Sequence, residues 1–265
     1  MRPFTVLVLV LAVAAPGIAA PPPGSLERVL LPVFTTAMPG AYGSTWSTEL
    51  WGLIDSDAGL HFFPVSMTPV VPGTDDLPAP LFRHVLIRLY TTDSTFPGPL
   101  LYIDSSIAAE VHLSLRLTGN GSTADRGVNL PVVPERSFVA DTIQLLAVPH
   151  TPNVRLTLRA YALDAPPVAR VRVRVFDGRL NAFGNDTLLG EMELTLTESA
   201  DEVTDGTRQL PAHAAAVQVD IDDAFPGITT DLLRIEIEPT IPTLKVWCFA
   251  TATDNVTQQV SLVTP

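Results

Sequence analysis

Positive charge is scarce in this chain. Its 16 basic side chains face 28 acidic ones, for a formal net charge of −12, and Lys245 is the lone lysine. Surfaces that hold phosphate backbones need clustered cations, so nucleic acid and anionic membranes are poor partners and are not expected. Cysteine is scarcer still. Cys248 stands alone, so no intrachain disulfide braces the fold and stability must come from burial. Sustained 3.6-residue apolar stripes are missing as well, which argues against a helical protein. Catalytic signatures are also lacking. There is no GxSxG elbow, no HExxH or HxH, and the five histidines, His61, His84, His112, His150 and His213, lie far apart. Beyond the first twenty residues no apolar run reaches the roughly 18 residues of a membrane helix.

The first twenty residues are the exception. MRPFTVLVLVLAVAAPGIAA has an early Arg2, an apolar run from Phe4 to Ala14, a Pro16-Gly17 break and a small-residue exit. That is the pattern of a secretory signal peptide, with cleavage expected after Ala19. Loss of Arg2 takes the mature charge to −13. No cysteine follows to carry a lipid, so the expected product is secreted or periplasmic and soluble after signal cleavage.

What the chain has in quantity is proline and alternation. Twenty-five prolines cut the chain into short pieces, since proline fixes φ and removes a ladder donor. Val154, Leu156, Leu158, Ala160 and Ala162 alternate with polar or aromatic neighbours, and the same beat returns at Val171 to Val175, Met192 to Leu196, Val217 to Ile221 and Leu233 to Ile237. A period of two marks half-buried strands. With Thr243 to Thr253 and Val256 to Val263, the second half holds about seven strands, the count of an antiparallel sandwich. The first half offers strands at Glu27 to Phe34, Thr45 to Ile54, Leu60 to Ser66, Arg83 to Thr92, Leu100 to Asp104 and Glu110 to Thr118. Its proline-rich segment between Phe63 and Leu81 reads as a long surface loop. The expectation is therefore an all-β protein of two tandem antiparallel β-sandwich domains, immunoglobulin-like or jelly-roll-like. The signal peptide spans 1–19, and the domains span 24–136 and 137–265.

Few side chains stand out as chemistry. Trp46, Trp51, Phe62 and Phe63 gather around the first hairpin and are the candidate stacking platform for a glycan, although core packing is the plainer use of tryptophan. By alternation Trp46 shares a face with Leu50 while Trp51 shares one with Leu53. The window VRVFDGRLNAFGNDTLLGEMELTL looks faintly like the strand and loop segment of C2 domains. Asp177, Asn185 and Asp186 would then be the donors to Ca2+; hard cations need six or more oxygens, so the plainer reading is a hairpin loop from Gly178 to Thr187. Asp55-Ser56-Asp57-Ala58-Gly59 opens like a calcium loop but lacks the helical flank and the twelfth-position glutamate, and it reads as a hairpin turn. Arg170, Arg172 and Arg174 are expected to meet Glu191 and Glu193 across a ladder. The acids from Asp220 to Asp223 read as solvated turn and strand surface, and Cys248 as a buried strand residue.

The blocks ERVLLPVF, PGAYGSTWSTELWGL, NLPVVPERSF and KVWCFATATDN make the chain similar to uncharacterised exported β-rich proteins of bacteria. The resemblance runs in order through most of the mature chain. It implies a bacterial, extracytoplasmic, two-part β architecture and brings no activity or site residue with it. The function expected is a non-catalytic binding, adhesion or structural role outside the cytoplasm, with an extracellular protein or glycan as partner. The alternatives are a secreted carbohydrate-active or other hydrolytic enzyme with its site on inter-strand loops, and a calcium-dependent binding module.

Overall fold

The computed structural model describes residues 25–35, 38–39, 45–54, 67–70, 87–91, 98–120, 127–179, 186–205 and 208–265. The leader, the turn at Asp55 and the expected strand Leu60 to Ser66 lie outside these residues. Among them, no helix is long and apolar enough to cross a membrane.

The protein is all-β and its sheets are antiparallel. In chain order the strands are β1 (Leu26–Leu30), β2 (Met38–Pro39), β3 (Thr45–Ile54), β4 (Met67–Val70), β5 (Ile87–Thr91), β6 (Leu100–Asp104), β7 (Val111–Asn120), β8 (Gly127–Leu130) and β9 (Val133–Pro134). There follow β10 (Ile143–Pro149), β11 (Val154–Leu163), β12 (Arg170–Asp177), β13 (Leu188–Thr195), β14 (Glu202–Asp205), β15 (Arg208–Pro211) and β16 (Ala215–Asp220). A helical turn, α1 (Ile221–Ala224), precedes β17 (Leu232–Pro239), β18 (Lys245–Asp254) and β19 (Val260–Val263). The sheets run β6-β1-β9, β4-β5-β3-β7-β8, β10-β17-β12-β13 and β16-β11-β18-β19; β2 pairs with β3, and β14 and β15 form a ribbon.

Two readings of the sequence are corrected here. The proline-rich segment after Phe63 contains β4, which pairs with β5. Its Pro69 is tolerated because β4 is the outermost strand of its sheet. The alternation Val217, Val219, Ile221 breaks at Asp220, whose carboxylate accepts the backbone N–H of Asp222 at 3.0 Å and of Asp223 at 3.4 Å. Those acids therefore cap and charge the start of α1 rather than extending the strand.

The burial pattern shows how the layers stack. Val171, Val173 and Val175 of β12 face Leu156, Leu158, Ala160, Val246, Cys248 and Ala250 across one core. The odd-numbered neighbours on the same strands, Tyr161, Leu163, Trp247 and Phe249, enter a second core with Leu30, Leu50, Leu101, Leu115 and Phe138. The sheet β16-β11-β18-β19 thus lies between two cores, because every position of Trp247 to Ala252 is buried. On its second face the rings of Tyr161 and Phe249 stack 6.3 Å apart and Trp247 lies 5.5 Å from Phe249.

Polar bonds fasten β6 and the residues beside β1 and β6 to that layer. Leu100 N–H donates to Ala212 at 2.9 Å and Ala214 N–H to Gly98 at 2.9 Å. Tyr102 Oη donates to the Pro211 carbonyl at 2.6 Å, and Tyr161 Oη to that of Pro32. Gly98, at φ +72°, lies where a Cβ would come within 2.8 Å of the Tyr161 ring, so no other residue lets the chain pass so close. Arg28 completes the junction. It grips Glu135 through bonds of 2.9 and 2.6 Å and Asp164 through bonds of 2.6 and 2.7 Å. The guanidinium holds both carboxyls below their ordinary range.

Candidate functional site

Strand β3 divides the two tryptophans between faces. Trp46, Thr48, Leu50 and Gly52 point inward, while Trp51 is half-buried on the other side and its indole N–H donates to Glu49 at 3.3 Å. They do not form one platform. Phe62 and Phe63 lie outside the described residues.

Trp46 is 6% exposed and belongs to the second core, as the plainer reading holds. It also lines a concavity. Gly119 sits directly opposite it on β7, where a Cβ would come within 3.0 to 3.2 Å of the indole ring. The glycine lets the ring lie flat against the strand. Trp46, Gly127 and Val128 then form one wall of a pocket of about 320 Å³, and Thr257, Gln258, Gln259 and Val260 form the other. The walls come from stretches far apart in the sequence, and none of these side chains is charged.

The second wall is the β18–β19 turn, which is held by its own hydrogen bonds. The Asp254 carboxylate accepts the N–H groups of Val256 at 2.8 Å and Thr257 at 2.6 Å, which hold its pKa below the usual carboxylate value. Asp254 N–H donates to Gln259 at 2.9 Å, Gln258 N–H to Asp254 at 2.8 Å and Asn255 N–H to Asn153 at 2.7 Å. Gln258 adopts the left-handed region at φ 57°, a conformation such a turn imposes on a residue with a side chain. Its Nε2 donates to the Asn255 carbonyl at 2.9 Å, and its Oε1 is buried with no hydrogen-bond partner. That oxygen is an acceptor whose lost hydration is uncompensated.

The candidate calcium donors are otherwise engaged. Asp177 Oδ1 accepts from Arg179 N–H at 3.0 Å, Arg179 Nε at 3.2 Å and Thr230 Oγ1 at 3.0 Å, and these bonds pull its pKa to about 2. Asp186 pairs with Arg234 at 2.6 Å, and Asn185 lies outside the described residues. Among the described residues no group of three or more His, Cys, Asp or Glu side chains is placed to hold a metal.

Three other groups among the described residues bear on chemistry. Ser199 Oγ bonds Asp201 at 3.1 Å, and His213 Nδ1 lies 4.0 Å from the same carboxylate. This is not the nucleophile geometry, in which serine donates to the histidine and the acid supports it from behind. His150 is buried, with Nδ1 2.8 Å from the Thr230 carbonyl and Nε2 2.7 Å from Asp222. It ties α1 to the start of β17. Cys248 is fully buried, and burial pushes its thiol pKa upward, away from nucleophilic use.

Sequence reasoning reached Trp46 and missed Gln258, Gln259 and Thr257. The available signal was DNVTQQV, a run of neutral amides and hydroxyls between two strands. No family model matches the chain, and neither a curated protein nor a solved structure matches it.

Proposed function

We propose that the protein is an exported, non-catalytic binding protein whose ligand enters the Trp46 pocket. It is delivered outside the cytoplasm by its first 19 residues, as the exported β-rich proteins of bacteria it resembles would be. We carry with this the finer fold reading of two β-sandwich units, 24–136 and 137–265, of immunoglobulin-like or jelly-roll-like type. The two cores support it, with the qualification that Tyr161, Trp247 and Phe249 of the second unit belong to the core of the first.

The observation that carries the binding reading is the pocket itself. It is concave, of about 320 Å³, and one wall is fixed in advance by the Asp254-capped turn. A wall already ordered loses little conformational entropy when a ligand arrives. The test is retention of the purified mature chain on isolated cell envelopes and secreted polymer, compared with the Gln259→Trp variant, whose new indole would fill the pocket from an exposed position. Retention that Gln259→Trp removes supports the reading; equal retention of both proteins, or none, contradicts it. Export is tested separately by fractionation and N-terminal sequencing, with Ala20 as the expected first residue.

A further inference from the structure

We propose that the ligand of the Trp46 pocket is a neutral carbohydrate, bound as a single sugar ring or as the end of a glycan. The inference rests on the binding reading above and gives it a ligand class.

Four features point the same way. Sugars present apolar C–H faces beside hydroxyls that both donate and accept, and they are met by an aromatic ring together with planar amides. The pocket sets Trp46 and Val128 against Thr257, Gln258 and Gln259. Second, among the described residues its lining holds no arginine, lysine, aspartate or glutamate. A uronate or sulfate would enter against the net negative charge of the whole chain. Third, the Gln258 amide is oriented by its Nε2 bond to Asn255, which leaves Oε1 buried and unpartnered. A sugar hydroxyl that reaches it on a small shift of the turn would satisfy that acceptor, and an apolar ligand would not. Fourth, a volume of about 320 Å³ lies at the small end of the ~300–1,000 Å³ typical of ligand sites.

Among the described residues the other cavities lack this combination. The one beside Arg28 and Asp164 holds only about 120 Å³ and is lined by the ion pair of the junction. The one at Asp177, of about 380 Å³, carries Arg179 at its edge over apolar walls. The groove over Val29 and Val111, of about 290 Å³, carries Glu27 and Arg136, already paired at 2.6 Å.

The experiment is a titration of the full mature chain with neutral gluco-, galacto- and manno-configured disaccharides, a polyuronate and a peptide mixture. Tryptophan fluorescence and melting temperature are the readouts. A ligand selective for the folded state must raise the melting temperature. The expected result is a saturable change in emission and a raised melting temperature with at least one neutral sugar. Gln258→Leu should weaken that binding by about tenfold, the cost of one lost hydrogen bond with its partner left unpaired. Gln259→Trp should abolish it while leaving the unliganded melt unchanged. No response to any neutral sugar, while Gln259→Trp still removes envelope retention, overturns the carbohydrate assignment and leaves the binding reading standing. Response to polyuronate or peptide alone overturns it equally. Loss of pocket-dependent retention as well overturns both.

Discussion

The two faces of the β16-β11-β18-β19 sheet are made by the same strands and receive different neighbours. Toward β12 and β17 the sheet presents Leu156, Leu158 and Val246 together with the small Ala160, Ala162, Cys248, Ala250 and Ala252, and the aliphatic residues Val171, Val173, Ile235 and Ile237 fill the space over them. Toward the first half of the chain it presents Tyr161, Trp247 and Phe249, large rings against which Leu30, Leu101 and the Gly98 turn pack. The first face is apolar throughout, whereas the second turns polar beyond Phe249, where Arg159 bonds Thr251 at 3.2 Å. The difference in side-chain size determines what docks. Aliphatic sheets interdigitate over the small face, whereas the aromatic face makes a broad platform, and hydroxyls or backbone groups at its margin, Tyr161 to Pro32 and Tyr102 to Pro211, set the orientation of what lands on it.

The largest effect is expected from stripping the aromatic face. Phe249→Ala removes a fully buried ring and should cost about 3–5 kcal/mol, read from denaturant melts. Dye binding should rise as the first half loosens. Enlarging the small face tests its counterpart. Ala250→Leu forces a bulkier side chain into a filled layer and should cost about 1–3 kcal/mol by overpacking, with little change in how the first half is held.

Arg28→Met addresses the junction. Losing the bonds to Glu135 and Asp164 should cost about 1–2 kcal/mol, toward the lower end because Asp164 is largely exposed. The pH dependence follows from the depressed carboxyls. Their folded-state pKa values lie below the ordinary 4.5 and 3.8, so their contribution is full above those values. It disappears as acid titrates the folded protein through the lowered ones. In Arg28→Met that part of the acid dependence should flatten, which melting from pH 7 downward will measure.

The smallest effect belongs to the arginine ladder. Arg174 bonds Glu191 at 2.8 Å and Glu238 at 2.7 Å, and Arg172 lies 3.4 Å from Glu193. These pairs face solvent, so Arg174→Met should lower stability only slightly, and added salt should erase the difference.

The strands were the legible part of the sequence. Thr45–Ile54 and Leu100–Asp104 match their expected ranges, and the arginine ladder meets its glutamates in the register alternation implies, Arg172 against Glu193 and Arg174 against Glu191. A second bank of acids, Glu236 and Glu238 on β17, was not foreseen, because strand order depends on tertiary pairing. The same holds for the aromatic face. Alternation marks Tyr161 and Phe249 as sharing a side of the sheet, yet nothing local says that this side is covered by residues from the first half of the chain. The pocket was half legible. Trp46 is conspicuous as a residue type, whereas Gln258 acquires meaning only once the β18–β19 turn stands beside β8. The helical turn after Asp220 was hidden by a hydrophobic beat that continued one residue past the strand.

The sharing of one sheet by two cores is tested most directly by scanning calorimetry of the full mature chain. If the aromatic and aliphatic faces of β11 and β18 are parts of one structure, both halves melt together. The protein should show a single transition, with calorimetric and van't Hoff enthalpies equal, and Phe249→Ala should move that transition as a whole. Two separated transitions, of which Phe249→Ala shifts only the one belonging to the first half, would contradict the account.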